Sequence, residues 1–315
     1  MLCSTVIPTI GRDCLQVAVE SALQQQISAE HHEIVVANDS GRALARSPWM
    51  EAPQVRIVDT HRSERSKARN AGAEIATGEY LNFLDDDDCL YPNAILALLD
   101  AAREQQVSRV IGAYRCVDNS GAEVAFIRPE FNASSFLSLL LAGESLPWGA
   151  AVISRDIFFE IGGFDTGLCV REDYDLECRH ALIGDVAVIS QVVAEFRVGG
   201  QGSTDWSHLK NVTHYARAKI MPKRAALTRV WPDLEYDPEL AARVFRGYLS
   251  TAGWCLRNRR VSDGTAILKL AGQIAAQHFA STQFWRIVAP LRASRVMSLL
   301  NGFWMVVPLA SLAVV

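Results

Sequence analysis

Over residues 1–205, short runs of β-branched residues alternate with stretches whose apolar residues recur at helical spacing. This alternation is typical of an α/β domain with a mostly parallel central sheet. The predicted strands are residues 3–7, 33–37, 55–58, 80–84, 110–117, 123–127, 150–153 and 186–196. The predicted helices are residues 13–26, 66–76, 92–103 and 172–182. We expect Pro8 to stop the first strand and Pro92 to open a helix, because proline suits a first helical turn.

After residue 202 the pattern changes to long helical stretches. They are residues 207–230, 239–259 and 262–280. Ser262 is expected to be the N-cap of the last one, because a serine side chain can accept a hydrogen bond from a free amide of the first turn. We therefore predict an α/β domain over residues 1–205 and a helical region over residues 206–315.

The composition is typical of a folded protein of the cell interior. Of the 315 residues, 50% are hydrophobic and 21% are charged, which excludes disorder over the whole chain. The net charge of −4 disfavours nucleic acid as a partner, because nucleic-acid-binding surfaces are strongly basic. The seven cysteines are scattered without a C-x-x-C pair, and the first residues lack a signal-peptide pattern. We expect a cytoplasmic protein without a disulfide framework or a structural zinc site.

The strongest chemical signal is a run of four aspartates, Asp85, Asp86, Asp87 and Asp88, directly after a predicted strand. Ligands of open α/β sheets bind at the carboxyl ends of strands. Adjacent carboxylates repel each other unless a cation neutralises them, and Mg²⁺ prefers such hard oxygen ligands. A solvated acidic turn is the alternative, but the strand before the run and the proline-started helix after it favour a metal site.

A second acidic group, Glu172 and Asp173, lies at the start of a predicted helix. A carboxylate beside a reacting hydroxyl can act as a general base. The alternative is structural, because acidic residues favour helix N-termini and Asp175 is spaced to pair with Arg179. The residues alone leave both interpretations open.

Basic and amide side chains between the third and fourth predicted strands could bind a diphosphate. They are Arg65, Lys67, Arg69 and Asn70, although an exposed helix face is the simpler interpretation for Lys67. Asp39, in the loop after the second strand, could accept hydrogen bonds from a base or ribose. No G-x-G-x-x-G, G-x-x-x-x-G-K-[ST] or G-x-S-x-G occurs, and the adjacent His31 and His32 are expected at the surface.

Taken in order, these segments resemble family-2 glycosyltransferases of the GT-A fold over residues 2–205. The segments that carry the resemblance are STVIPTIGR, EIVVANDSG, SKARNAG, GEYLNFLDDDDCLYP, IGGFD and REDYDLECR. The resemblance implies an inverting transferase of the hexosyltransferase type with a role in polysaccharide synthesis. Its donor would be a nucleotide-diphosphate sugar, with uridine as the base, and its cofactor Mg²⁺ or Mn²⁺.

The resemblance also implies roles for individual residues. Asp173 of the acidic pair matches the catalytic base, with Glu172 beside it. Asp85 and Asp87 match the acids near ribose, diphosphate and metal. Matches to the nucleotide-sugar site are Pro8, Thr9, Asp39, Arg65, Arg69, Asn70 and Asp86. Many relatives carry a further histidine after the acidic helix, where residues 196–203 contain none, so that Arg197 or Gln201 could take its place.

Two other functions stay open at this point. A nucleotidyltransferase also places paired acids around a metal, although residues 7–12 lack its usual glycine-rich basic loop. A glycan-binding or scaffold protein on a degenerate transferase fold is the other alternative, and the two acidic groups disfavour it. The acceptor implied by the resemblance is a hydroxyl of a glycan or of a lipid-linked molecule. We expect residues 129–148 and the helical region to determine acceptor specificity.

The tail, residues 296–315, contains no charged residue and is about as long as a membrane-crossing helix. Arg286, Arg292 and Arg295 precede it, as positive residues do on the cytoplasmic side of a membrane. Pro308 interrupts the run, as do Asn301 and Gly302. Either the tail holds the protein at the inner face of the membrane, or it forms a packed helix pair on the domain or in a homodimer.

Overall fold

The computed structural model describes residues 2–61, 64–131, 136, 140, 146–168, 171–198, 237–257, 259, 261–278 and 280–288. The chain divides into two compact units, one of residues 1–136 and 146–214 and the other of residues 137–145 and 215–315. The domain boundary predicted near residue 205 and the helix predicted at 207–230 lie outside the described residues.

The first unit is an α/β domain in which the described strands form one nine-stranded sheet. The strands are β1 (Cys3–Thr9), β2 (His32–Asn38), β3 (Val55–Asp59), β4 (Tyr80–Phe83), β5 (Cys89–Leu90), β6 (Arg109–Val117), β7 (Glu123–Ile127), β8 (Ala151–Ser154) and β9 (Val186–Arg197). The helices are α1 (Leu15–Leu23), α2 (Arg65–Ile75), α3 (Ala94–Gln105), α4 (Arg155–Glu160) and α5 (Glu172–Ile183). Two short 3₁₀ helices cover Pro48–Glu51 and Trp148–Ala150.

The strand order is β3-β2-β1-β4-β8-β6-β9-β5, and β7 pairs with β6. The pairs β1–β2, β1–β4, β2–β3 and β6–β9 are parallel, whereas β8 is antiparallel to both β4 and β6. The predicted α/β fold is confirmed, but the sheet is mixed, because β5 and β7 are also antiparallel to their neighbours and the eight strand pairs divide into four parallel and four antiparallel ones. Because β1, β2 and β4 are parallel neighbours, their carboxyl ends meet at one edge of the sheet.

Helices cover both faces of the sheet, because the central strands alternate their apolar side chains between two cores. On β2, Ile34 and Val36 join one hydrophobic cluster with Val19 of α1 and Ile95 of α3. Val35 joins a second cluster with Phe158 of α4. Burial on both faces explains why the middle of this strand, residues 34–37, is entirely apolar and does not alternate with polar residues.

The structure corrects three local predictions in this unit. β1 continues through Pro8 to Thr9, because its pairing with β4 ends at Val6 and the missing amide of Pro8 is tolerated there. The helix predicted to open at Pro92 begins at Ala94. Residues 89–90 and 155–160 form a strand and a helix that were not predicted, because such short segments show no clear periodicity.

The described part of the second unit is helical, as predicted: α6 (Pro238–Arg257), α7 (Val261–Gln277) and α8 (Thr282–Val288). The ring of Phe284 lies 5.5 Å from that of Phe245 and 5.4 Å from that of His278. Ser262 lies inside α7 and not at its cap. In the part of the chain described, no helix is long and apolar enough to cross a membrane, and the tail at 296–315 lies outside that part.

Candidate functional site

Polar side chains collect where β1, β2 and β4 end at the same sheet edge. Thr9 is the last residue of β1, Asp39 follows β2, and the aspartate run begins two residues after β4. The main-chain amide of Asp39 donates to the carbonyl of Thr9 at 2.7 Å, which ties the first two strand ends together. The Thr9 hydroxyl donates a hydrogen bond to Asp86, which connects the end of β1 to the aspartate run after β4.

The four aspartates have different surroundings. Asp86 and Asp88 are buried, whereas the side chains of Asp85 and Asp87 keep 47% and 26% of their surface exposed. Burial raises the pKa of Asp88 to about 8. The hydrogen bond that its Oδ1 accepts from the amide of Arg197, at 3.0 Å, acts in the opposite direction. Burial also raises the pKa of Asp86. The two exposed carboxylates are therefore the ones that a ligand can reach.

Two arginines bind the aspartate run from opposite sides. Arg12 contacts Asp86, and its Nη1 lies 2.8 Å from Oδ2 of Asp87. Arg69, whose side chain is 9% exposed, places Nη2 2.6 Å from Oδ1 of Asp85. Burial acts to raise the pKa of Asp85, but the charge and hydrogen bond of Arg69 together with the charges of Arg65 and Arg12 outweigh it and hold that pKa below its ordinary value.

Arg69 also connects the aspartate run to the second acidic group. Its Nη1 lies 2.9 Å from Oε1 of Glu172, which is 4% exposed at the first position of α5. Arg65 is more exposed and lies 3.8 Å from the same oxygen. The structure therefore brings Asp85, Arg69 and Glu172 into one charged network.

Asp173 comes next on α5 and makes no such ion pair with any residue in the described part of the chain. Its Oδ1 accepts a hydrogen bond from the amide of Tyr174 at 2.7 Å. Burial and the charge of Glu172 raise the pKa of Asp173 above its ordinary value. The ion pair expected one turn later is present, with Arg179 2.6 Å from Asp175.

Asp39 and Asn70, two further residues predicted for the nucleotide-sugar site, both make hydrogen bonds within the fold. Both oxygens of Asp39 accept hydrogen bonds, from the Thr60 hydroxyl at 2.6 Å and from the Glu64 amide at 3.1 Å. The Asn70 side chain exchanges two hydrogen bonds with the main chain of Phe164, at 2.9 and 3.0 Å. Its amide therefore holds the glycine turn before α5, and the donor contact implied by the resemblance stays a prediction.

One histidine prediction was wrong. His31 is exposed, but His32 is 4% exposed and its Nε2 lies 2.8 Å from the Thr5 hydroxyl. β2 begins one residue earlier than predicted and lies between β1 and β3, so that its first side chain is covered. Burial lowers the pKa of His32 to about 4.

The sequence alone did not point to Arg12, which lies in the first matched segment but follows no spacing rule. An open cavity of about 410 Å³ lies beside it, with Asp87, Asn119 and Arg197 among its lining residues. Arg197 thus lies close to the aspartate run, and its role as a substitute for the missing histidine stays a prediction. Gln201, the other candidate, lies outside the described residues.

The residues fit a divalent cation that arrives with its ligand. Among the described residues, no group of three or more His, Cys, Asp or Glu side chains is arranged to hold a metal ion. Asp85 and Asp87 each have one oxygen on an arginine, and the other oxygen accepts no hydrogen bond within the described residues. Two carboxylates suffice for Mg²⁺ when substrate phosphates and waters complete its coordination.

Curated relatives resemble the first unit. A protein of Haemophilus influenzae named as an uncharacterized glycosyltransferase is 27% identical over 174 residues, 55% of this chain and 59% of that protein. A Rickettsia felis protein with the same description is 28% identical over 185 residues, 56% of this chain and 30% of that protein. The chain therefore matches about a third to three-fifths of these relatives' lengths.

Solved structures share the fold. The crystal structure of S. aureus TarS 1-349 in complex with UDP-GlcNAc has a TM-score of 0.57 at 14% identity, over 91% of this chain and 89% of that chain. The complex of the same protein with UDP has a TM-score of 0.52 at 13% identity, over 87% and 92%. Residues 4–158 match the family model described as glycosyl transferase family 2. Over these residues the chain is similar to glycosyltransferase family 2, and its first unit has the GT-A fold.

Proposed function

We propose that this chain transfers a sugar from a nucleoside-diphosphate donor to a hydroxyl of a glycan or lipid-linked acceptor, with inversion at the anomeric carbon. One observation carries the proposal: Arg69 binds both Asp85 and Glu172, so the acids after β4 and the start of α5 form a single site. The family match, and relatives of the same fold solved with UDP-GlcNAc and UDP, support a nucleotide-sugar donor.

The donor would lie along the edge of β2, β1 and β4. Asp39 would bind the base, for which we propose uridine, and Pro8 and Thr9 would line the nucleotide pocket. Asp85 and Asp87 would hold Mg²⁺ or Mn²⁺ against the diphosphate, with Arg12 and Arg65 as further cationic groups at that end. When bound, the metal offsets the negative charge that develops on the departing nucleoside diphosphate.

Inversion requires one base and no nucleophilic side chain, because the acceptor oxygen displaces the diphosphate in a single in-line step. We assign the base to Asp173. The Glu172 carboxylate is bound by Arg69, which makes Glu172 a positioning residue. Asp173 has no cationic partner of this kind among the described residues, and its raised pKa brings its basicity closer to what proton transfer from a hydroxyl needs.

Slow donor hydrolysis tests the proposal without knowledge of the acceptor. The purified chain is incubated with UDP-GlcNAc and other UDP-sugars, with Mn²⁺, with Mg²⁺ and with EDTA, and released UDP is measured. We expect metal-dependent UDP release that Asp87→Ala and Asp173→Asn abolish and the exposed α3 variant Asp100→Ala retains. Donor binding without turnover would instead indicate a binding or scaffold protein. Pyrophosphate release from a nucleoside triphosphate and a sugar phosphate would indicate a nucleotidyltransferase.

A further inference from the structure

A buried ion pair lies one helical turn behind Asp173. Nη2 of Arg109, the first residue of β6, is 3.0 Å from Oε1 of Glu177 on α5, and both side chains are 0% exposed. Glu177 follows Asp173 by four residues, so the two lie on the same face of α5. Glu177 also accepts a hydrogen bond from the amide of Leu146 at 3.2 Å.

Trp148 connects this pair to the proposed base. The guanidinium carbon of Arg109 lies 3.9 Å from the centre of the Trp148 ring. The Trp148 indole Nε1 donates to the main-chain oxygen of Asp173 at 3.3 Å. The same ring packs edge-on against Phe164, at 6.0 Å, and Phe164 supports Arg69. The indole thus contacts Arg109, Phe164 and the first turn of α5.

Stability does not explain the ion pair. Replacing a buried ion pair by neutral residues of similar volume is often neutral or stabilising, because both charges lose their water. Among the described residues, Nε and Nη1 of Arg109 are buried without a hydrogen-bond partner, and Glu177 only partly offsets this unfavourable burial. Burial lowers the pKa of Arg109, and the charges of Glu177 and Asp173 oppose that effect.

We propose that Arg109 is a positioning residue of the transfer reaction, which holds the Trp148 ring so that the indole N–H binds the main-chain oxygen of Asp173. This inference rests on the proposed function. The charges that favour the carboxylate form of Asp173 are those of Arg171 and Arg69, so Arg109 acts on this residue through the indole.

The double variant Arg109→Met with Glu177→Gln tests the contact between Arg109 and Trp148. It removes both buried charges together, and the glutamine oxygen can still accept the hydrogen bond from Leu146. We expect it to fold and bind UDP like the wild type, while kcat falls about tenfold because the indole loses the cation that packs on its ring. Arg109→Lys keeps a cation beside the ring, so its kcat should stay closer to that of the wild type. Arg103→Met, an exposed arginine of α3, is the control.

Trp148→Phe tests the indole hydrogen bond to Asp173, and it is the variant to use if the double variant does not fold. It keeps a ring beside Arg109 but loses the indole hydrogen bond to Asp173, so kcat should fall while the UDP affinity stays within about twofold. A folded double variant with unchanged kcat overturns the inference and leaves the proposed function standing. An unchanged kcat in Trp148→Phe overturns it likewise. A wild type that releases no UDP from any donor overturns both proposals.

Discussion

At the scale of single residues, four neighbouring aspartates differ because each meets a different partner. Asp86 and Asp88 point into the protein, where Thr9 and the amide of Arg197 bind them. Asp85 and Asp87 each meet an arginine with one oxygen and keep the other open among the described residues. The D-x-D pair implied by the resemblance therefore matches the two carboxylates that the fold leaves accessible.

Asp87→Ala should abolish turnover and the metal-dependent part of nucleotide binding, because it removes a hard ligand of the cation. Titration calorimetry of UDP with and without Mn²⁺ measures the effect. Asp100→Ala, exposed on α3, is the matched control. Near-normal activity of Asp87→Ala would contradict the metal assignment.

Asp173→Asn should lower kcat by about 10²-fold or more with little change in donor affinity, because the amide is nearly isosteric but accepts no proton. Initial rates and UDP binding, measured side by side, check this. Asp156→Asn, exposed on α4, controls for the substitution itself. If Asp173→Asn lost nucleotide binding and showed no separate turnover defect, the residue would belong to the donor site.

At the scale of elements, helix α2 begins from a strained residue. Glu64 has φ 124° and ψ 152°, a region that essentially only glycine occupies, yet its side chain caps Ser66 and its amide binds Asp39. One carboxylate oxygen of Glu64 is buried without a hydrogen-bond partner among the residues that the structure describes. The junction between the loop that carries Asp39 and the arginines of α2 therefore lowers local stability.

Glu64→Gly should be more stable than Glu64→Ala by about 1–3 kcal/mol, because both variants lose the side-chain cap and only glycine adopts this backbone conformation without strain. Urea unfolding of the two variants measures the difference, since the Asp39 hydrogen bond uses the main chain and is kept in both. Equal stabilities would show that the backbone at residue 64 is not strained.

At the scale of the whole molecule, buried histidines connect stability to pH. Burial lowers the pKa of His32 to about 4 and that of His180 to about 3, from 6.5. Between these values and pH 6.5 each of these histidines binds protons more readily in the unfolded chain than in the folded one. Its contribution to stability therefore falls as the pH is lowered. Asp88 acts in the opposite direction, because its raised pKa makes the folded chain bind more protons.

The His32 contribution can be isolated by difference. As the pH falls from 6.5 to about 4, the wild type should lose stability relative to His32→Gln by at most about 1.4 kcal/mol per pH unit. The Asp88 contribution cancels in this comparison. Denaturant unfolding at several pH values measures it, with the exposed His31→Gln as the control. A pH-independent difference would mean that His32 titrates alike in both states.

The tail, residues 296–315, is tested by deletion after Arg295. Removing a membrane-binding tail should transfer the protein from the membrane to the soluble fraction, because about 20 apolar residues are lost. Removing a packed helix pair should instead lower the melting temperature or disperse an oligomer. Fractionation and light scattering of both forms distinguish the two. A full-length chain that is monodisperse without detergent would contradict the membrane interpretation.

The helices and strands were largely predictable from local patterns. The predicted strand at residues 123–127 matches β7, and the helix predicted at 172–182 matches α5 within one residue, because burial imposes a period on neighbouring positions. Pro8 and the segment 155–160 were predicted wrongly or missed. At Pro8 the outcome depends on where a neighbouring strand stops pairing, which no local pattern encodes.

The sequence by itself determined the α/β alternation, the position of the acids at the ends of a strand and a helix, and the family resemblance, because these depend on residues close together in the chain. Tertiary structure decided which aspartate side chains are accessible and that His32 is buried. It also decided that Arg69 contacts Glu172, 103 positions away in the sequence, and that Arg12 contacts Asp87, 75 positions away. Ion pairs and pKa shifts depend on distances between segments remote in sequence, and the strand order sets those distances.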